Sequence, residues 1–392
     1  MQKVFKIGLF AGFAALLVFL CFIYINFTGD NKMIAESQQK PEIIYEPKNP
    51  WQTGNPDINF ANSIGGSGSE TLLAVHPLLN VYIIILKSAS ADGDFANLKE
   101  TGLMAAILSK TGIILNIKSI GNYDYSHSVI FQNKVAVAVS IGEDGMLIFI
   151  DANLNLTINP VPKAKHLAAS DNLYLFSENT IFTYPATENF SFEGDIIEIH
   201  KSNEELIIFT KQNKDILKYT LAGSTLTLVL QFLDTTFIKL ALNGEILITQ
   251  LSGELILSKI KGDNVEFVTA IPAQNDVEII KTNTGYAVLT KGDNNYLYFL
   301  CLHGDIISKT QTPVTATEIQ NRFVSVSSVI SFVDLKDIYT LTKTLSIFGD
   351  IAPQKIILEG NLLFVQTKSF TLDYEESQGE SDIFIFSLNL PT

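Results

Sequence analysis

Five histidines, His76, His127, His166, His200 and His303, are the side chains in this sequence best suited to metal or proton chemistry. Imidazole ligates transition metals through a neutral nitrogen and titrates near neutral pH. Their offsets from the neighbouring turns differ, so the plainer reading is of strand histidines, each satisfying one hydrogen bond. No metal or other cofactor is expected. Acidic residues form the second group. Asp92-Gly-Asp94, with Asn97, resembles a fragment of a calcium loop, but calcium takes about six to eight oxygens and this segment offers too few. Glu375-Glu376, with Glu380 and Asp382 nearby, gathers carboxylates as glycoside hydrolases do, yet adjacency in sequence does not set the gap across a sugar. The stretch Gly65-Gly-Ser-Gly68 runs into Thr71-Leu-Leu-Ala-Val75, a strand pattern without a lysine. It is therefore a turn and not a phosphate cradle, with glycines free to take positive φ. Neither Gly-x-Ser-x-Gly nor His-Glu-x-x-His occurs. These residue types favour binding over catalysis, with Asp92, Asp94, Glu375 and Glu376 as the candidate binding residues.

Charge narrows the partner. The 392 residues carry a net charge of −14, and Arg322 is the lone arginine among 27 basic residues. A nucleic-acid partner requires a basic face to neutralise phosphates, and none can be assembled here. At the amino end, Lys3 and Lys6 precede 21 uncharged residues, Ile7 to Phe27. At about 1.5 Å per residue such a helix crosses the roughly 30 Å hydrocarbon core. The lysines before it and Asp30 after it leave residues 1–6 in the cytoplasm and export the rest. The run exits through Phe22-Ile-Tyr-Ile-Asn-Phe27, not through the small residues of a cleavage site, and Cys21 follows Phe19-Leu20, unlike a lipoprotein signal. Residues 7–27 are therefore read as an uncleaved transmembrane signal anchor. Without Lys3 and Lys6 the remainder has 25 bases against 41 acids, a net of −16. Anionic lipid should repel such a body. Cys301 is alone in it, so no internal disulfide can form.

These residues need a scaffold. Residues 28–56 are polar and dotted with Pro41, Pro47, Pro50 and Pro56, the composition of a stalk. From 57 to 392 short apolar runs alternate with Gly, Asn and Asp turns. Val135-Ala-Val-Ala-Val-Ser140 and Met146-Leu-Ile-Phe-Ile150 flank Gly142-Glu-Asp-Gly145; Glu205-Leu-Ile-Ile-Phe209 and Asp215-Ile-Leu-Lys-Tyr219 repeat the layout. These are β-hairpins, and their recurrence about every 40 residues predicts an all-β fold, a β-propeller with four strands per unit. A sandwich of this size would need a linker between two domains, and a β-helix a shorter, stricter repeat. Counted from the outer strand, units begin near 58, 113, 155, 188, 224, 264, 306 and 345. That gives eight blades, or seven if the thin third unit or the irregular seventh is not a blade. The last unit ends on its third strand, Asp382-Ile-Phe-Ile-Phe-Ser-Leu388, and Asp57-Ile-Asn-Phe-Ala61 is the strand that completes it. Four of the five histidines then fall on or beside first strands, which line a propeller's channel.

Asn59-Phe-Ala-Asn-Ser-Ile-Gly-Gly-Ser-Gly-Ser-Glu70, Ser88-Ala-Ser-Ala-Asp-Gly-Asp94 and Leu103-Met-Ala-Ala-Ile-Leu-Ser-Lys-Thr-Gly112 together resemble the bacterial secreted β-propeller repeat family. Fainter echoes are Ile120-Gly-Asn-Tyr-Asp124 and Leu302-His-Gly304-Asp. The resemblance covers residues 58–155 and implies an exported propeller without implying one activity. The expectation is a single-pass membrane protein whose extracytoplasmic propeller is a non-catalytic scaffold for a surface protein or glycan. The alternative is a glycan-directed surface hydrolase using acids at the channel mouth. The long segments 88–99 and 373–379 should meet where the first and last blades close.

Overall fold

The run Val135-Ala-Val-Ala-Val139 is wholly buried, although strand side chains point alternately to opposite faces. Both faces of that strand must therefore be covered. In the computed structural model of the protein the three valines pack with Ile83 and Ile85 of the preceding sheet. Ala136 and Ala138 pack with Leu167, Leu173 and Leu175 of the following one. The same division recurs further on: Phe176 and Ile208 share a core, as do Phe209 and Leu247, and Ile248 and Val288. The interior is a series of layers between successive sheets, so middle strands read as continuous apolar runs and not as alternating ones.

The structure describes residues 58–388 apart from 99–100, 186–187, 203–204, 233–235, 243, 262–263, 273–275, 283–284, 293, 313–315, 320–321, 327–329, 335–341, 346–349, 373–374 and 377–380. Eight antiparallel sheets form among the described residues, seven of them with four strands in chain order. The first comprises Glu70–Leu78, Val81–Ser88, Gly102–Ser109 and Ile114–Gly121; the second comprises Asp124–Phe131, Lys134–Ile141, Asp144–Ile150 and Leu156–Val161. First strands of neighbouring sheets approach one another, and Asp350–Glu359, the first strand of the last sheet, lies beside Glu70–Leu78. The ring closes on itself, and the fold is a β-propeller. Fourth strands begin at Ile58, Ile114, Leu156, Asn189, Thr225, Asn264, Ile306 and Thr342, in step with the unit boundaries read from the turns.

Closure uses both ends of the described chain. Asp350–Glu359, Leu362–Leu372 and Asp382–Leu388 supply three strands of the last sheet, and Ile58–Ile64 pairs outside them. The register runs from Ile58 opposite Leu388 to Ile64 opposite Ile383, with one bulge at Ala61. This strand was expected from Asp57–Ala61. It covers a sheet edge that would otherwise be open.

The cytoplasmic end (1–6), the signal anchor (7–27), the stalk (28–56) and Asp57 lie outside the described residues. Among those described, no helix is long and apolar enough to cross a membrane.

Candidate functional site

Because strands alternate in direction, connections from second to third strands share one face of the ring with the links between sheets. In six sheets the second-to-third connection is only two or three residues long. The exceptions are the first sheet, where Ser88 and Gly102 flank a long insertion, and the last, where Leu372 and Asp382 do. Those two sheets are neighbours at the closure, so both insertions emerge side by side. The link between the sheets, Gly65 to Ser69, passes between them.

The insertion in the first sheet turns back onto that link. Asp94 accepts from the Gly65 amide through Oδ2 at 2.9 Å, and the Asp94 amide donates to the Gly65 carbonyl at 3.0 Å. Asp92 Oδ1 accepts from the Ser67 amide at 2.7 Å, and the Ser90 hydroxyl accepts from Gly68 at 2.8 Å. Phe95, at the end of the one-turn 3-10 segment Gly93–Phe95, is fully buried beneath this clasp. The Ser67 amide and hydroxyl hold the Asp92 carboxyl below the usual range. Both candidate acids of this insertion are therefore occupied by backbone, and Asp92 does so while remaining exposed.

The glycines of the link serve close approach. None of Gly65, Gly66 and Gly68 takes the positive φ expected of them. A Cβ at Gly65 would instead lie 2.2 Å from Asp382 Oδ1, and one at Gly66 would lie 2.5 Å from Ser90 Cβ. The sequence marked the link as glycine-rich but misread the reason: the glycines make room for a strand and a loop from elsewhere and do not turn the chain through positive φ.

Beneath the link sits Glu70, the first residue of its strand and fully buried. Its Oε1 accepts from the hydroxyls of Ser88 (2.9 Å) and Ser90 (2.6 Å). Its amide donates to the Ser381 carbonyl at 2.8 Å, and the Ser381 hydroxyl donates to its carbonyl at 3.1 Å. Asp382, beside Ser381, is also buried. Burial first, then the nearby Asp382, raises the Glu70 carboxyl above the ordinary range against the pull of the two serines. Glu375–Glu376 form a short strand paired with Thr371 and Leu372. Thr367 pairs with Asp382 on the same strand, so Thr371 lies about 13 Å further along at ~3.3 Å per residue. The structure thus brings Asp92, Asp94 and Asp382 to one seam and places the Glu375–Glu376 backbone on an extension beyond it.

The first strands hold a second polar set. Ser126 is an extra residue in its strand: Tyr125 pairs with Val139, and His127 already pairs with Ala138. One inserted residue reverses the facing of everything before it. Tyr125 and Ser128, three apart, consequently share a face, and their hydroxyls bond at 2.8 Å. The Ser128 hydroxyl also bonds His76 Nε2, from the first sheet, at 2.7 Å. His127 faces the other way, towards the third sheet. Its Nδ1 accepts from the Leu167 amide at 3.4 Å, and its ring lies 5.9 Å from that of His166. Burial, then His127, pushes His76 down to about 4; burial, then the neighbouring imidazole or Lys165, lowers His127 and His166. His200 packs edge-on against Phe209, and His303 is exposed in a turn.

Two chemical conclusions follow. An imidazole that accepts through Nδ1 carries its neutral proton on Nε2, which leaves His127 no lone pair for an ion shared with His166. Among the described residues no group of three or more His, Cys, Asp or Glu is arranged to hold a metal. His76 and His127 are polar rivets between neighbouring blades. Sequence reasoning placed them on first strands but missed Tyr125 and Ser128, because the inserted Ser126 that pairs them leaves no compositional trace.

The architecture defines the class: a β-propeller whose two longest second-to-third connections belong to the sheets that adjoin at the ring closure. No family model matches the chain, and no curated protein does. Solved structures do. The computationally designed Ika8 protein is 12% identical with a TM-score of 0.50, over 82% of this chain and 98% of that one. Dihydro-heme d1 dehydrogenase NirN, solved in complex with DHE, is 10% identical with a TM-score of 0.53, over 83% of this chain and 79% of that one. At these identities the likeness shows the fold alone.

Proposed function

We propose that this protein is an eight-bladed, extracytoplasmic propeller, anchored through residues 7–27 in the membrane of a bacterial cell, and that it is a non-catalytic scaffold for a surface protein or glycan. The reading includes membership of the secreted propeller repeat family. One observation carries it: the two long insertions belong to neighbouring blades and open on the same face, while six other blades have minimal turns there. A rigid ring presenting variable loops on one face is a binding architecture. Glu375 and Glu376 on one insertion, with Asp92 and Asp94 on the other, are the contact residues in this reading. The −16 charge outside the anchor favours partners with cationic or neutral polar surfaces over anionic lipid.

The test is cross-linked capture from the native cell surface with residues 30–392 as bait. Two variants separate recognition from folding. E375Q/E376Q is expected to lose most of the captured partner with an unchanged melting temperature. D94A removes the acceptor of the partly buried Gly65 amide and is expected to lose about 1–3 kcal/mol of stability, whereas D94N keeps an acceptor and retains most of it. Equal capture by the parent and E375Q/E376Q would remove those residues from the interface. No capture, with turnover of a surface glycan instead, would favour the hydrolase alternative.

A further inference from the structure

A propeller closes into a ring, but each blade still ends on a fourth strand whose outer edge carries unpaired amides and carbonyls. Among the described residues all but one of these edges are guarded. Lys118, Glu266, Lys309 and Lys343 put a charge on the fourth strands of the first, fifth, sixth and seventh sheets, and Pro160 interrupts that of the second. The third sheet's is only three residues long, Asn189–Ser191. In the last sheet Asn62, Ser63 and Ile64 are buried, and a Cβ at Gly112 would lie 2.7 Å from that of Ala61. The exception is Thr225–Phe232 of the fourth sheet, Thr-Leu-Thr-Leu-Val-Leu-Gln-Phe. It has eight residues and no charge, proline or glycine.

Both faces of that strand are apolar. Leu226 and Leu228 stand opposite Leu221 and Tyr219, which pack with the third sheet. An extra residue at Val229 reverses the facing, so Leu230 and Phe232 pack with Ile260 of the fifth sheet. Ahead of this bulge Thr225, Thr227 and Leu228 are exposed, Leu228 to 49%. The two threonines alternate with the leucines and so point to the fifth sheet's side. There Val265 pairs with Ile260, and Phe267, two residues on, shares its face. Val265 and Phe267 are 39% and 67% exposed. An open edge is thus bordered by exposed apolar side chains on both sides. The charges nearest to it are engaged: Lys261 with Glu266 at 2.6 Å, Glu188 with the Ser224 hydroxyl at 2.8 Å, and Asp215 with Gln231 Nε2 at 3.0 Å.

We propose that Thr225–Leu228 pairs antiparallel with the same strand of a second copy, making a two-fold dimer of propellers. Charge selects this occupant. The chain carries −14, so two copies repel wherever charged surfaces meet, and this strand lets them touch with no charge on either side. The strand is also its own complement. Paired about a two-fold, its threonines and leucines meet only threonines, leucines and Val229, residue types that suit a sheet in any register. Each chain has one such edge, so the isologous contact closes at two copies and does not build a fibre. Leu228, Val265 and Phe267 flank the junction and lose water on pairing. The contact lies on the perimeter and does not rest on the binding role given to the insertions.

The test uses the full chain expressed in its native cells, with Cys21 and Cys301 replaced by serine so that an introduced thiol stands alone. T225C, T227C and L228C are each oxidised, and disulfide dimers are read on a non-reducing gel. Residues facing one another across antiparallel strands have Cα atoms about 4.5–5.5 Å apart, within disulfide reach. At least one of the three is expected to cross-link into a species of twice the chain mass. T157C, an exposed position on the second sheet's guarded fourth strand, is expected to stay monomeric. Adding L228K to T225C or T227C, or T227K to L228C, sets a lysine near its own image and is expected to cut the dimer yield about tenfold. Cross-linking at none of the three positions, equally well at T157C, or undiminished by the added lysine would overturn the proposal. A disulfide band at another mass would do so too, by giving the edge to a different protein. Were the lysine variants to fold poorly, the comparison with T157C still decides.

Discussion

Acidification from pH 7 to pH 4.5 is expected to weaken the propeller by about 2–3 kcal/mol through His76 alone. The ring sits between two blades, and burial with His127 nearby depresses it to about 4. An unfolded chain would protonate it near 6.5. A depressed histidine contributes stability that is complete above about 6.5 and drains away as pH falls towards its folded value. His127 and His166 shift in the same direction and add to the acid limb, while Glu70 opposes it. For a domain of this size the His76 share corresponds to a fall of roughly 5 °C in melting temperature. H76Q, which has no titrating ring and can still bond Ser128, should lose that share of the acid sensitivity while remaining folded at pH 7. Parent and H76Q curves falling in parallel between pH 7 and 4.5 would show that the ring does not carry it.

Removing the closing strand should be more drastic still. A chain starting at Gly65 lacks Ile58–Ile64, six register pairs with the last sheet, and the fully buried Ile64. Ile64 alone is worth about 2–3 kcal/mol of burial, and the edge of Asp382–Leu388 is left open to pair with another molecule. The combined loss is on the order of the whole stability of a domain, about 5–15 kcal/mol. Loss of the cooperative melt and growth of high-mass species on size exclusion are the expected result. A chain starting at Asp57 should melt as residues 30–392 do, and a peptide of residues 57–64 added to the truncated chain should restore part of the transition. A truncated chain that melts like its parent would mean the closing strand is dispensable.

How far the sequence foretold this structure depends on the range of the forces involved. Outer-strand positions were legible almost to the residue because each follows a local turn, as Ile306 follows Leu302–Asp305. The closing strand was legible for a related reason: a unit ending on Leu388 after three strands demands a fourth. Long-range arrangements were not. Gly65 lies 29 residues from Asp94 and Ser67 lies 25 from Asp92, so acids that read as candidate binding residues became the clasp on the link. Glu70 looked like the end of a turn, and nothing local announced that Ser381 and Asp382, more than three hundred residues later, would cover it. The first-strand bulges were equally silent. Leu72/Ala74, Tyr125/His127, Ile196/Glu198 and Phe237/Lys239 each straddle one extra residue, and a single insertion changes facing without changing composition.

The central claim is that the two insertions at the seam form the binding face. Amide hydrogen exchange of the propeller, free and bound to the partner captured from the cell surface, tests it most directly. Protection should concentrate in residues 88–101 and 372–382, with little change at the turns of the opposite face, such as 79–80, 132–133 and 151–155. Protection confined to those opposite turns, or spread around the first strands lining the channel, would contradict the claim and relocate the site.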